Sequence, residues 1–515
     1  MLSNLVKNNF YRDSVFLMSL SNKINIIDGV NDSSVMMGTD ANKKLLSETG
    51  FLTKEGEKAS SGDMLICINH KENAGVKEIL SKIEELLDAP VDLGGSSAAE
   101  INMPEDVDAA LEIQPLSNIA VISLPGGYVE YQAKKLLARG INVMIFSDNV
   151  SVETEINLKK IGASKELLVM GPDCGTAIIN GVSLGFANVI RRGKIGIVGA
   201  SGTGIQEVTT IIHKNGEGIT QAIGLGGRDL SVDVGGIMML EGIKMLLKDE
   251  NTKVICLISK PPASSVENKI IEFLRNSKKP FVVNFLGRAP QKIKLKNVYF
   301  ESTLESAALK AVSIIKKTNL CRTGVLNKQL KEIVKREKSL FSNRQKYVRG
   351  LFSGGTLCDE ALFILKKSVC ELYSNIAHDP VMKLKNSKVS YKNSLIDLGD
   401  DEFTRGVPHP MIDFTVRNKR LIQEAKDPET AVILFDIVLG YGSHPDPASA
   451  ILPSVESAGK LAKKSGRHIS FVTSICGTEQ DPQNLEKQKK DLENAGVIVL
   501  PSNALSAKFT EEILN

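Results

Sequence analysis

The chain has no tryptophan, no CxxC or Cys/His ligand spacing, and no apolar run near the roughly 20 residues of a membrane span. The missing ligand pairs argue against a structural zinc, because a tetrahedral site needs closely spaced thiolates or imidazoles. No metal site is expected. Seven cysteines, Cys67, Cys174, Cys256, Cys321, Cys358, Cys370 and Cys476, are odd in number and widely spaced, as reduced thiols are. The opening MLSNLVKNNFYRDS lacks the apolar core of a signal peptide, so a cytoplasmic location and no membrane contact are expected. A formal charge of +4 is small for 515 residues, and no basic block is interleaved with aromatics, which argues against a nucleic-acid partner. No Walker sequence occurs either. Gly193-Lys194 is followed by Ile195 and Gly459-Lys460 by Leu461, so a self-contained ATP-hydrolysing loop is not supported.

What remains is a globular composition, 42% hydrophobic and 24% charged, in a chain too long for one hydrophobic core. Short β-rich runs alternate with amphipathic stretches, the pattern of parallel sheets covered by helices. Near the start, DSVFLMSLSNKINII and DMLICINH read as strands and GVKEILSKIEELLD as a helix. Ala89 to Asp106 is small and polar and reads as a linker. NIAVISLPGGYVEYQAKKLLARGINVMIFSD is then a βαβ element. A third unit opens near Arg192 with KIGIVGASGTG. A fourth restarts with YVRGLFSGGTLCDEALFIL, after a Lys-rich helical connector. The third and fourth share strand, small-residue turn and helix, which points to an internal duplication of fold.

The expected class is α/β: several doubly wound parallel-sheet domains behind a small α+β N-terminal domain. The expected boundaries are 1–106, a Rossmann-like CoA-binding-type domain at 107–190, a flavodoxin-like domain at 191–319, a connector at 320–345 and a second flavodoxin-like domain at 346–515.

Two turns carry the chemistry. In VGASGTG (Val198 to Gly204) and FSGGTL (Phe352 to Leu357), Gly199, Gly202, Gly204, Gly354 and Gly355 let a ligand approach the backbone. Ser201, Thr203, Ser353 and Thr356 can cap the following helix or donate hydroxyls. Each helix start presents free N–H groups and a partial positive charge. Two such ends aimed at one phosphoryl group would contribute roughly 1–4 kcal/mol. Ordinary, well-capped strand-to-helix turns would look the same.

These residues sit in a longer resemblance. The order GPDCG, GKIGIVGASGTG, GLGGRD resembles the stretch of the succinyl-CoA synthetase α subunit that joins its CoA-binding and ligase domains. SSVMMGTDANKKLL, SLPGGY, ISKPPA, VRGLFSGGTLCDEA, DLGDDEFTRGVPHPMID and DIVLGYGSHPDP resemble segments of the FdrA group of acyl-CoA synthetase-like proteins, across essentially the whole chain. The resemblance implies an α-like and a β-like ligase domain fused in one chain, with two helices, beginning near Ser201 and Gly355, aimed at one phosphoryl site. The departures matter. No histidine lies between Gly287 and Gln345, where the synthetases carry their phosphorylated histidine. The supporting glutamate is replaced by Lys260, Pro261 and Pro262, and no ATP-grasp domain is recognisable.

Among the six histidines, His70 and His213 read as structural, His468 as surface and His378 as a polar turn. His409 and His444 each precede a proline near an acid, Asp413 or Asp446. Each is either a stiffened turn or a general acid/base or phosphate ligand, which a pKa near neutrality would suit. Asp397, Asp400, Asp401 and Glu402 read as a solvated turn. Cys358, one turn into a helix, should have a lowered pKa, though packing is its more ordinary role.

Three functions stay open. The first, suggested by the resemblance, is acyl- or carbamoyl-phosphate transfer of the oxamate carbamoyltransferase type in purine and ureide breakdown, as one subunit of a hetero-oligomeric enzyme. Carbamoyl phosphate and phosphate would be its substrates. Gly199 to Gly204 and Ser353 to Thr356 would bind phosphate, Arg228 and Arg405 would neutralise charge, and His409 or His444 would handle the amide proton. The second is a CoA ligase with a separate ATP-grasp partner. Its CoA would lie along Ser123, Pro125, Gly126 and Gly127 and along Gly171, Pro172 and Asp173, a site reduced by having no basic residue in its turn. The third is a non-catalytic scaffold.

Overall fold

A computed structural model of the chain describes all residues except 11, 13, 72–74, 89–103, 105, 276, 288–294, 319–325 and 405–406. It divides into two compact units, one of Met1–Glu105 with Asp401–Pro408, the other of Asp106–Asp400 with His409–Asn515. Most of the expected linker lies outside the described residues.

In the first unit, strands β1 (Leu2–Lys7), β2 (Val30–Met37) and β3 (Met64–His70) form an antiparallel sheet in the order β1-β3-β2. Helices α1 (Ser14–Asn25), α2 (Asp40–Glu48) and α3 (Val76–Asp88) complete it. The stretch expected as a first strand is α1. Its Leu17, Leu20 and Ile24 recur at helical spacing, and all three are buried in one cluster with Ile66, Ile68, Ile79 and Ile83.

The second unit opens with α4 (Val107–Ile113) and a parallel three-stranded sheet, β4 (Ile119–Ile122), β5 (Asn142–Ile145) and β6 (Val169–Met170), connected by α5 (Gly126–Ala138) and α6 (Val152–Ser164). A hairpin of β7 (Thr176–Ile179) and β8 (Val182–Gly185) leads to the next sheet. There β9 (Arg192–Gly199), β10 (Ile219–Gly224), β11 (Val254–Ser259), β12 (Phe281–Phe285) and β13 (Val298–Phe300) run parallel, in the order β13-β12-β11-β9-β10, with the hairpin added antiparallel beside β10. Helices α7 (Gly202–Lys214), α8 (Ile237–Lys248), α9 (Ser264–Leu274) and α10 (Leu304–Lys316) belong to this domain, and α11 (Lys328–Ser339) follows it.

The last domain repeats the plan. Strands β14 (Tyr347–Phe352), β15 (Leu372–Ser374), β16 (Asn393–Asp397), β17 (Thr430–Val438), β18 (Ser470–Cys476) and β19 (Ile498–Leu500) form an all-parallel sheet in the order β15-β16-β14-β17-β18-β19. Its helices are α12 (Gly355–Leu365), α14 (Thr415–Lys426), α15 (Pro447–Lys464), α16 (Leu485–Asn494) and α17 (Asn503–Leu514), while the short α13 (Asp401–Thr404) belongs to the first compact unit. The central strands β9 and β17 are buried along most of their length, as strands covered on both faces must be.

The order reverses at β9, between β10 and β11, and at β14, between β16 and β17. Strand ends at such switch points open a crevice where ligands sit. Both glycine turns, following β9 and β14, lie there. A single core joins the domains, with Ile205 and Val208 of α7 and Leu357 and Ala361 of α12 in one cluster.

Candidate functional site

The first residues of α7 and α12 meet. Ser201, the N-cap of α7, places Oγ 2.6 Å from Thr356 Oγ1 in α12, and Ser201 Oγ also accepts the Gly204 N–H at 3.1 Å. A β-carbon at Gly354 would stand 2.9 Å from Thr203 Cγ2, so that glycine is a packing requirement of the meeting helices. Ser201, Thr203, Ser353 and Thr356 are buried, while Gly202 and Gly355, the first residue of each helix, keep partial exposure. The N–H groups of Gly202, Thr203, Gly355 and Thr356 donate to no protein group among the described residues. Four helix-end donors therefore remain for an anion.

The α12 turn also holds an anion of its own. Asp436, at the inner end of β17, accepts from Ser353 N–H (2.8 Å), Ser353 Oγ (3.0 Å) and Gly354 N–H (2.8 Å). It is paired with the fully buried Arg417 guanidinium at 3.0 Å, which also donates to the Pro410 carbonyl. Ser353 and Gly354 are thus occupied by a carboxylate, which narrows the expected phosphate contacts to Gly355 and Thr356 on this helix. In α7, Gly204 is occupied by its cap, and a β-carbon at Gly199 would press on Ile205, which gives that glycine a packing role.

Lys260, the residue standing where a supporting glutamate was expected, reaches α12 from the end of β11. Its Nζ pairs with Asp359 at 3.0 Å. A β-carbon at Gly355 would lie 3.4 Å from Lys260 Nζ and 2.5 Å from Asp397 Oδ2. Burial works against the ammonium, but the carboxylates of Asp359 and Asp397 outweigh it and hold Lys260 above its ordinary value. Asp397 is not part of a solvated turn, as its run of acids suggested, because it ends the buried strand β16 and is 6% exposed. Burial, reinforced by Asp400 and Asp436, pushes its carboxyl up to about 7 against the pull of Lys260 and the Gly399 N–H.

His409 comes to this site. A β-carbon at Gly399 would lie 2.7 Å from His409 Nε2, 2.8 Å from the Ser353 carbonyl and 3.1 Å from Asp397 Oδ1. Its Nδ1 accepts the Met411 N–H at 3.2 Å, so the neutral ring carries its proton on Nε2. Burial and the Arg417 charge lower it to about 4. It is a neutral donor at neutral pH, with its acceptor nitrogen already used. His444 repeats the arrangement, Nδ1 accepting from Asp446 N–H at 3.0 Å, and burial lowers it too. The His444 N–H donates to the Met411 carbonyl at 2.8 Å, which ties the two histidine segments together.

Arg228 is placed elsewhere. It pairs with Glu155 at 2.9 Å and donates to the Val150 carbonyl at 2.9 Å, beside the strand ends of the three-stranded sheet. Ser123 to Gly127 follow β4, and Gly171 to Asp173 follow β6. They flank the end of β5, where Ser147 Oγ accepts Leu124 N–H and the Ser147 carbonyl accepts Asp173 N–H. A β-carbon at Gly126 or at Gly171 (φ +99°) would strike backbone carbonyls, and Gly126 follows Pro125, the N-cap of α5, whereas Gly127 faces open space. A β-carbon at Gly226 would likewise strike the Pro172 carbonyl. Arg228 is thus a basic group beside Val150 and Glu155, on the side of the loops expected to form a CoA-type site. Arg405 lies outside the described residues.

The other candidates are structural. Cys358 is fully buried, and burial with Asp397 and Asp359 raises its thiol, opposite to the expected lowering. His213 bridges Arg191 N–H and Glu479, His70 bonds to Ser3 and the Lys71 carbonyl, and His468 pairs with the buried Glu337 instead of standing free on the surface. His378 is exposed beside the short turn at Pro380–Met382.

Comparison with known proteins places the CoA binding match on 190–287, not on the 107–190 domain expected to carry it. The chain matches the CoA-ligase family over residues 351–513, the CoA binding domain over 190–287, and the AllF heavy metal-associated domain over 1–102. The residues of the last do not fit a heavy metal. Its one cysteine, Cys67, lies buried in β3 with its thiol pushed up to about 12, and no group of three or more ligand side chains gathers among the described residues. The chain is 45% identical to the Escherichia coli protein YahF over 512 residues, covering 99% of this chain and 98% of that one. It is 23% identical to the Archaeoglobus fulgidus succinate–CoA ligase (ADP-forming) subunit alpha 1 over 199 residues, 38% of this chain and 66% of that one. Among solved structures, PH0766 from Pyrococcus horikoshii is 16% identical with a TM-score of 0.27, covering 77% and 83% of the two chains. Among the described residues no helix is long and apolar enough to cross a membrane.

Proposed function

Since the chain belongs to the family of the Escherichia coli protein YahF and carries succinyl-CoA-synthetase-like CoA-ligase and CoA-binding domains, we propose that it transfers an acyl or carbamoyl group to and from phosphate at the paired ends of α7 and α12. The single observation that carries this reading is the meeting of the two helix ends at Ser201 and Thr356, with the N–H groups of Gly202, Thr203, Gly355 and Thr356 unused and Lys260 beside them.

The phosphate of an acyl or carbamoyl phosphate sits on those N–H groups, beside the Lys260–Asp359 pair. An acceptor attacks the carbonyl carbon, the carbon–oxygen bond to phosphate breaks, and the departing phosphate takes the proton lost by the acceptor nitrogen while keeping its place on donors that need no reorganisation. Two helix ends contribute roughly 1–4 kcal/mol, about ten- to a thousandfold in affinity. His409 contributes a neutral Nε2–H donor. Such transfer needs neither nucleotide nor phosphohistidine, in keeping with the sequence from Gly287 to Gln345, which has no histidine. The finer form of the proposal is exchange of oxalurate and phosphate for oxamate and carbamoyl phosphate, in ureide breakdown, by an enzyme with further subunits in the cytoplasm.

A second reading, a CoA ligase with an ATP-grasp partner, is favoured by one observation, the placing of Arg228 beside the strand-end corner of Ser123 to Gly127. Calorimetric titration separates the two. Heat with carbamoyl phosphate that vanishes in Gly355→Ala supports carbamoyl transfer, whereas heat with CoA alone supports the ligase. Should the assembled enzyme keep full activity after both glycine turns are altered, the chain is a scaffold.

A further inference from the structure

Asp397 is held at the mouth of the paired helix ends with one oxygen unspent. Its backbone is clamped by Asn375, whose Oδ1 accepts the Asp397 N–H and whose Nδ2 donates to the Asp397 carbonyl, each at 2.9 Å. Oδ1 accepts the Gly399 N–H at 2.9 Å. Oδ2 has no hydrogen-bond partner among the described residues, and it lies 2.5 Å from where a β-carbon of Gly355 would stand. The side chain is more than nine-tenths buried and aimed at the first residue of α12.

An anion seated on the Gly355 N–H would lie on the side of α12 that Oδ2 faces, 2.5 Å from the place of a Gly355 β-carbon. Two unprotonated oxygens in contact repel, and each then raises the other's affinity for a proton. Among the described residues, the neighbouring cations Lys260 and Arg417 are already paired with carboxylates. Lys260, at the end of β11, is paired with Asp359 of α12. Arg417 of α14 is paired with Asp436 of β17. Asp400, after β16, adds a negative charge, His409 is neutral, and burial keeps the Cys358 thiol protonated.

We propose that Asp397 carries a proton whenever an anion occupies the paired helix ends, donating it from Oδ2 to an anion oxygen, so that binding takes up one proton. The proposal rests on the phosphate-site reading and adds a ligand and a pH dependence to it. Burial already holds the free carboxyl at about 7, so the proton is at hand at neutral pH and scarce above it.

Sulfate is the probe, because it stays a dianion throughout the range and its own protonation does not enter. Calorimetric titration of the full chain between pH 6 and 9, in buffers of differing ionisation enthalpy, should show affinity level near pH 6 and falling about tenfold per pH unit above about 7.5, with proton uptake approaching one. Asp397→Asn, which keeps a donor, should bind with the low-pH affinity at every pH. Wild-type affinity that changes less than about twofold over this range, while Gly355→Ala abolishes binding, overturns the role of Asp397 and leaves the anion site standing. No sulfate binding at any pH overturns both. If Asp397→Asn does not fold, the wild-type proton count decides the question alone.

Discussion

Glu207 on α7 and Glu360 on α12 stand at equivalent places, each five residues after the first residue of its helix, and each caps the last helix of the opposite domain. Glu207 Oε1 accepts the N–H of Asn503, which opens α17, at 2.9 Å, and Glu360 Oε1 accepts the N–H of Leu304, which opens α10, at 2.7 Å. Asn503 Nδ2 closes the exchange by donating to Glu360 Oε2 at 2.8 Å. The two helices that present their ends to the site are therefore locked by reciprocal carboxylates behind it.

That lock is sensitive to pH. Burial raises Glu207 and pushes Glu360 up to about 8, with Glu207 adding to the rise. The folded chain holds a proton that the unfolded chain releases near the ordinary value of 4.5, so stability falls as pH rises from about 4.5 through about 8. Thermal unfolding should occur at lower temperature at pH 9 than at pH 6, and Glu360→Gln should flatten the difference. Each kcal/mol is worth about 2–4 °C in domains of this size.

Gly354→Ala should weaken the meeting of the helices. Its β-carbon would come within 2.9 Å of Thr203 Cγ2 and 3.1 Å of Thr203 Oγ1, a contact that something must yield to. A cost of about 1–3 kcal/mol is expected in urea denaturation. Thr203→Ala in the same chain should recover part of it, because two of the three offending atoms are then gone.

Arg417→Met should be among the most damaging single changes. It leaves Asp436 buried without its cation, a loss of about 3–5 kcal/mol. Pairing it with Asp436→Asn should cost less than the sum of the two single changes, read from denaturation midpoints.

His409 should appear in nitrogen NMR as the neutral Nε2–H tautomer at pH 6, with a titration midpoint at about 4. Because its folded value is lowered, the stability tied to its neutral form is present above its ordinary value of 6.5 and is lost as pH falls towards about 4. A midpoint near 6.5 would contradict the burial and the Met411 contact.

Gly127→Phe fills the space above the CoA-type corner, where a β-carbon meets nothing within 4 Å. Thermal stability should be unchanged within about 0.5 kcal/mol. Any CoA binding seen by titration should be lost, while sulfate binding is kept.

Much of the architecture was legible beforehand because it is written in local chemistry. Apolar runs ending in small residues, as in KIGIVGASGTG and VRGLFSGG, announce buried parallel strands turning into helices, and both helices start where those turns end. The first expected strand failed for a local reason too, since a run as apolar as VFLMSL satisfies either period and only burial of Leu17, Leu20 and Ile24 on one face decides for helix.

The site was less legible. Asp436 stands within the apolar run AVILFDIVLG and Arg417 on a polar helix, so neither advertises that it would cap the α12 turn. Asp397 was hidden among the acids of DLGDDEF, where its neighbours suggested exposure. Arg228 was expected at the helix ends and is held by Glu155 and the Val150 carbonyl instead, partners far from it in the chain.

By itself the sequence determined the elements, their order and the two glycine turns, since propensity, periodicity and backbone freedom act over a few residues. Only the tertiary structure decided which donors of those turns are already occupied, which acids are buried and which cation stands beside Gly355. Those outcomes depend on side chains brought together from distant strands, where burial alters charge and hydrogen-bond partners are chosen by the fold.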